Sequence, residues 1–192
     1  MQVISLYQFM QQREFFVSEV MQNKIFIYPT DTLYGIWWLF THSNIEKINM
    51  IKKKNLSKKL TIIAPSFDWI FENFIVPNPD DILESFNKYH GITYILHPKE
   101  GMKEYSLYET AYEDKTIGVR IIKHPMQEFI TYLGKPFIST SANFAWEANY
   151  KSRTDMDPKL LEKIDYIIDG KDVLWIPSVL IFGDSGKIVE RT

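Results

Sequence analysis

The chain has 192 residues, a formal net charge of −2, 45% hydrophobic and 15% aromatic residues, and no cysteine. That length suits one substantial domain, and the apolar content argues against disorder. The missing cysteine excludes disulfides and thiolate metal sites, and the near-neutral charge speaks against the whole chain acting as an electrostatic nucleic-acid binder. No apolar run reaches bilayer-spanning length, and no secretory leader is evident at the N-terminus, so the expectation is a cytoplasmic protein without membrane association.

Residues 8–22 place Phe9, Phe16, Val17, Val20 and Met21 at helical spacing, which predicts an amphipathic helix on the core. Ile25-Phe26-Ile27-Tyr28 predicts a buried strand, ended by Pro29, which has no amide hydrogen. Thr30, Asp31, Thr32, Tyr34 and Gly35 follow as a polar turn. They suit a plain turn, and equally a ligand site, since open α/β sheets bind ligands beyond the carboxyl ends of strands. Asn44 reads as the cap of a second helix through Ile45, Ile48 and Ile51. That helix leads into Lys52-Lys53-Lys54-Asn55-Leu56-Ser57-Lys58-Lys59, where five lysines in eight positions make either a solvated face or a polyphosphate site.

Leu60 to Ala64 reads as a strand stopped by Pro65, and Ser66 as the cap of a short helix containing Phe67, Ile70 and Phe71. A further helix over 80–88 is expected to turn Ile82, Leu83 and Phe86 inward. Thr93 to Leu96 is a strand ended by Pro98, and residues 99–115 form a loop. Thr116 to Ile122 is a strand pattern with an arginine inside it. Arg120 is either paired with an internal Asp or Glu, or offers its fork to a ligand carboxylate or phosphate. His124-Pro125 opens a helix with Met126, Phe129, Ile130 and Leu133 on one side, ended by Gly134. Lys135 to Ile138 then runs into Ser139-Thr140-Ser141-Ala142-Asn143, a capping turn or a second hydroxyl cluster. The tail reads as a helix over 158–164, a strand at 166–168, and two strands at 178–182 and 187–190 joined by the turn Gly183-Asp184-Ser185-Gly186.

Alternating strands and helices give one α/β domain over residues 1–192. There is no Walker loop, dinucleotide fingerprint or nucleophile elbow, and His42, His90, His97 and His124 are scattered, so no protein-held metal site is expected. A nucleotide would be held by lysines, hydroxyls and backbone amides.

Four separated segments resemble the YrdC-like family, whose best-known members are threonylcarbamoyl-AMP synthases. They are Tyr28 to Gly35, the lysines Lys52, Lys54 and Lys58, the arginine strand before His-Pro at Thr116 to Pro125, and Gly134 to Asn143. The resemblance implies a twisted mixed sheet flanked by helices, with a large concave positive pocket, in the family's single-domain form. It implies a nucleotidyltransferase that joins L-threonine, bicarbonate and ATP into threonylcarbamoyl-AMP with release of pyrophosphate. The product would feed threonylcarbamoyladenosine modification of tRNA, alongside other tRNA-modification proteins. By the same resemblance, Thr32, Arg120, Ser139 and Ser178 hold threonine. Lys54, Lys58, Thr116, Ser141, Asn143 and Arg191 hold ATP, whose phosphates a Mg2+ ion bridges. Lys52, Lys54 and Arg120 carry the catalysis. The chain departs from the family pattern at Lys54, where an arginine is usual, and at Ala145-Trp146, His90-Gly91-Ile92 and Ser178 to Phe182. A second reading is a paralogue without synthesis that binds double-stranded RNA on the same concave surface through its lysines and tyrosines.

Overall fold

A computed structural model gives the fold and describes residues 1–52, 60–102, 115–144, 150, 153–170, 173 and 176–190. Lys54, Lys58, most of the expected loop at 99–115, Ala145-Trp146 and Arg191 lie outside the described residues.

The strands are β1 (Gln2–Ser5), β2 (Phe26–Pro29), β3 (Tyr34–Leu39), β4 (Thr61–Ile63), β5 (Phe74–Ile75), β6 (Ile92–Pro98), β7 (Ile117–Arg120), β8 (Phe137–Ser141), β9 (Tyr166–Asp169), β10 (Val179–Phe182) and β11 (Ile188–Val189). They form one 11-stranded mixed sheet in the order β1-β9-β2-β3-β8-β4-β7-β6-β10-β11, with β5 paired to β6. The helices are α1 (Leu6–Gln11), α2 (Arg13–Met21), α3 (His42–Lys52), α4 (Phe67–Asn73), α5 (Pro79–Lys88) and α6 (Met126–Leu133), with a single turn at Pro158–Leu161. None of the described helices is long and apolar enough to cross a membrane.

Strand periodicity divides the core in two. On one face Phe26, Tyr28, Trp37, Ile63 and Phe137 pack against Phe9, Phe16 and Val20 of α1 and α2 and Phe129 and Ile130 of α6. On the other, Ile27, Ile36, Trp38, Ile62, Val119 and Ile138 pack against Ile48 and Ile51 of α3, Ile70 of α4 and Ile82 of α5. Strand alternation puts Gly35, Thr61, Thr93, Gly118, Arg120, Ser139 and Ser141 on the first face. There the sheet carries hydroxyls and glycines in place of apolar side chains.

Several expectations change. The helix over 8–22 is two helices that meet at Gln12, with α1 started by a capping box between Ser5 and Gln8. Phe9, Phe16 and Val20 face the core, whereas Met21 is 49% exposed. Asn44 is not a cap. Thr41 Oγ1 accepts from the Asn44 amide at 3.3 Å, while the buried Asn44 side chain donates to Leu39 O and to Asn23 Oδ1, each at 3.0 Å. Leu83 points outward, because Ile82 and Phe86, one helical turn apart, own the inner face of α5. The strand after Gly134 does not stop before the hydroxyls: β8 runs through Ser139 and Ser141, which pair with Trp37 and Gly35 of β3. The polar stretch after Pro29 continues into an unexpected strand, β3, antiparallel to β2. The final helix is shorter than expected, and β1 and β5 are additional strands.

At the start of α6, His124 Nδ1 accepts from the Met126 amide at 3.2 Å, so that nitrogen carries no proton. Burial lowers the His124 pKa below the ordinary 6.5, with the Asp31 charge acting in the opposite sense. The unfolded chain therefore binds the proton more readily than the native one. Stability is full above the ordinary histidine value and is lost as pH falls through the lowered native value. Urea midpoints should fall for the wild type between about pH 7 and pH 5, and fall less for His124→Asn, which keeps an acceptor but does not titrate.

Candidate active site

The hydroxyl-rich part of the sheet opens into a cavity of about 310 Å³. Its walls come from six places in the chain. The β2–β3 turn with the start of β3 gives Thr30, Thr32, Leu33, Tyr34 and Gly35, and β8 gives Ser139, Thr140 and Ser141. β4 gives Thr61, β6 gives Thr93, β7 gives Arg120, and the approach to β10 gives Pro177 and Ser178.

The turn is built by its own hydroxyl. Thr30 Oγ1 donates to Leu33 O at 2.7 Å and accepts from the Thr32 and Leu33 amides at 3.1 Å each. This brings Thr32 Oγ1 to 2.9 Å from Thr30 Oγ1, and Arg120 Nη1 donates to Thr32 Oγ1 at 3.1 Å. Arg120 Nη2 forms a short ion pair with Asp31 Oδ1, and Asp31 Oδ2 accepts from the Lys123 amide at 3.1 Å. The first alternative for Arg120 is present, since it has an internal acidic partner in Asp31, and the same side chain lines the cavity. Its Nε is sealed from solvent and has no hydrogen-bond partner among the described residues.

Small side chains keep the floor open. A Cβ on Gly35 would stand 3.0 Å from Ser139 Oγ, and one on Gly118 3.1 Å from Thr93 Cγ2. One on Gly91 would stand only 2.6 Å from Thr32 Cγ2 and 3.4 Å from Arg120 Nη2. Ser139 Oγ lies 3.3 Å from the Tyr28 hydroxyl, whose pKa is pushed up to about 12, chiefly by burial, so the phenol keeps its proton. Across the cavity, Thr93 Oγ1 and Ser178 Oγ share a 2.7 Å hydrogen bond.

Lys52 is 2% exposed and ends α3. Its ammonium donates to Ser141 O at 2.5 Å, to Asn143 Oδ1 at 2.8 Å and to Ser141 Oγ at 3.3 Å, and Ser141 Oγ donates to Asn143 Oδ1 at 2.6 Å. Lys52 and Asn143 thus reach the cavity through Ser141 rather than lining it. Thr116 is also not a lining residue: it precedes β7, while Arg120 ends that strand. The geometry brings together Thr32, Arg120, Ser139, Ser141 and Ser178.

Sequence reasoning placed Asp31 in the polar turn without naming it as the partner of Arg120, and it gave no site role to Tyr28, Thr61, Thr93 or Gly91. Asp31 carried a signal, since an arginine inside a strand demands a counter-charge. Thr61 and Thr93 carried another, each a lone hydroxyl at the start of an apolar strand.

Among the described lining residues Arg120 alone is charged. No histidine, cysteine, lysine or carboxylate lines the described wall to act as a base or nucleophile. The arrangement suits binding and orientation of a polar, anionic ligand rather than covalent catalysis. Among the described residues no group of three or more His, Cys, Asp or Glu side chains could hold a metal, and Asp31 is committed to Arg120 and Lys123.

Solved structures share this fold. E. coli YciO superposes with a TM-score of 0.77 at 22% identity, covering 94% of this chain and 87% of that one. P. abyssi Sua5, solved in complex with L-threonine, superposes with a TM-score of 0.78 at 19% identity, covering 99% of this chain. The chain spans 56% of the length of that Sua5. A Xanthomonas euvesicatoria protein named threonylcarbamoyl-AMP synthase is 28% identical over 181 residues, 90% of this chain and 94% of its own length. The Sua5/YciO/YrdC family model, described as "Telomere recombination", matches residues 19–184. That stretch runs from α2 to the turn after β10 and includes every described residue of the cavity wall, and the chain belongs to the Sua5/YciO/YrdC family.

Proposed function

We propose that the chain is a threonylcarbamoyl-AMP synthase. The observation that carries this reading is the buried Arg120, steadied by Asp31 and Thr32 at a hydroxyl-lined cavity. The name of the Xanthomonas relative and the L-threonine complex of P. abyssi Sua5 support it.

In this reading Arg120 takes the threonine carboxylate through its fork. Thr32, Ser139 and Ser178 surround the rest of the amino acid. The threonine amine adds to bicarbonate with loss of water. A carbamate oxygen then bonds to the α-phosphorus of ATP, the bond to the β-phosphate oxygen breaks, and pyrophosphate leaves. No covalent bond to the protein forms. The chain contributes alignment of the two reactants and neutralisation of the polyphosphate. Lys54, Lys58, Thr116, Ser141, Asn143 and Arg191 hold the nucleotide, with Lys52 fixing Ser141 and Asn143 from behind. A magnesium ion arriving with the nucleotide would supply further neutralisation of the polyphosphate, beside Lys54 and Lys58. The product serves threonylcarbamoyladenosine formation in the tRNA of the cytoplasm, with other tRNA-modification proteins as its recipients.

Purified protein supplied with threonine, bicarbonate and ATP should form threonylcarbamoyl-AMP and release pyrophosphate. Omitting threonine or bicarbonate should return release to background. Absence of the product, or release indifferent to threonine, overturns the reading.

A further inference from the structure

We propose that Asp31 is the positioning residue of the amino-acid site. It never touches the substrate, and it fixes the orientation in which Arg120 meets it. The inference rests on the reading of Arg120 as the carboxylate-binding group.

Asp31 does not line the cavity, and its side chain is 1% exposed. Two distant segments of the chain, at 90–91 and 120–123, converge on it. Arg120 at the end of β7 and the Lys123 amide take its two carboxylate oxygens. His90 Nε2 makes a short contact with its backbone carbonyl, and Gly91 leaves room beside Oδ2 that a Cβ would narrow to 3.5 Å. Its neighbour Thr32 receives the other terminal nitrogen of the same guanidinium at 3.1 Å.

A guanidinium has five N–H donors in a rigid plane, so fixing two corners fixes the rest. Asp31 holds Nη2 and Thr32 holds Nη1, which leaves Nε buried with no partner among the described residues. A buried donor without an acceptor is costly. It persists here because the ion pair dictates where the plane lies. Without the carboxylate, the long arginine side chain can rotate, and its bonds to a ligand lose their alignment. Misplacement by about 1 Å can cost roughly 100-fold in a positioned reaction.

The experiment compares wild type with Asp31→Asn, which is nearly isosteric, removes the charge and replaces one of the two accepting oxygens with a donor. Two readouts are taken. The first is the Nε–Hε correlation of Arg120 in a 1H–15N spectrum, assigned by its loss in Arg120→Lys. The wild type should give a sharp, slowly exchanging signal that broadens or vanishes in Asp31→Asn. The second is calorimetric affinity: threonine binding should weaken by about tenfold or more while ATP binding changes by less than about twofold. A merely structural role would weaken both ligands together, and that result overturns the proposal. So does a retained Nε signal with unchanged threonine affinity. If wild type binds no threonine, the synthase reading fails, and the Nε signal still decides whether Asp31 holds Arg120. Should Asp31→Asn not fold, Asp31→Glu keeps the charge and shifts it by one methylene. That variant should lose threonine affinity selectively, and unchanged affinity there overturns the proposal.

Discussion

Arg120→Ala is expected to abolish threonine-dependent pyrophosphate release and to destabilise the protein by about 3–5 kcal/mol. The arginine and Asp31 side chains are 8% and 1% exposed, so this is a buried pair. Removing one partner strands the other charge, which retains only the Lys123 amide on its second oxygen. The loss of activity and the loss of stability have separable origins. The double variant Arg120→Ala/Asp31→Ala should regain a good part of the urea midpoint, because no unpaired charge remains. It should regain none of the activity, because the proposed synthase needs the Arg120 fork for the substrate carboxylate. Recovery of activity in the double variant would show that Arg120 serves only to neutralise Asp31.

Lys52→Met should produce the second-largest effect, and on the other substrate. Methionine fills nearly the same volume but leaves Ser141 O and Asn143 Oδ1 without the ammonium they accept from at 2.5 and 2.8 Å. Hydrogen bonds to charged groups contribute about 1.5–3 kcal/mol, and the expected destabilisation is of that order. The end of β8 would lose its tie to α3, so the KM for ATP should rise by about tenfold or more while the KM for threonine changes little. Steady-state kinetics with each substrate varied in turn read this split. Equal increases for both would place Lys52 in general support of the fold rather than on the nucleotide side.

What the sequence made legible was mostly local. Ile25 to Tyr28 announced β2 through its apolar, β-branched composition, and Ser66 announced α4 through a cap that closes on the Trp69 amide at 3.0 Å. The conformation of Gly134, at φ +66°, follows from its place after the last helical residue. β3 was hidden because all six of its residues are buried, so Tyr34 to Leu39 lacks the alternation that marks a strand with one wet face. The hydroxyls of β8 read as turn residues because their sheet partners lie in β3, about a hundred positions earlier. Asn44 was misread for the same reason. Its buried amide donates to Leu39, five residues back at the end of β3, and to Asn23, in a left-handed conformation at φ 62° and 21 positions away. The motif residues of the cavity were legible as chemistry. The pairing of Arg120 with Asp31 was not, because 89 positions separate them and only the folded sheet brings them together.

The position of β9 in the sheet has a consequence for biosynthesis. Among the described strands β1 pairs with β9 alone, and β9 also runs alongside β2. While the chain emerges from the ribosome, its first strand must wait for Tyr166–Asp169 before it has anywhere to dock. The hydroxyl of Ser178 arrives later still. Pairings between such distant segments form slowly and leave strand edges open to wrong partners in the meantime. Nascent chains stalled before β9 should therefore be clients of chaperones, with neither a closed sheet edge nor a finished cavity.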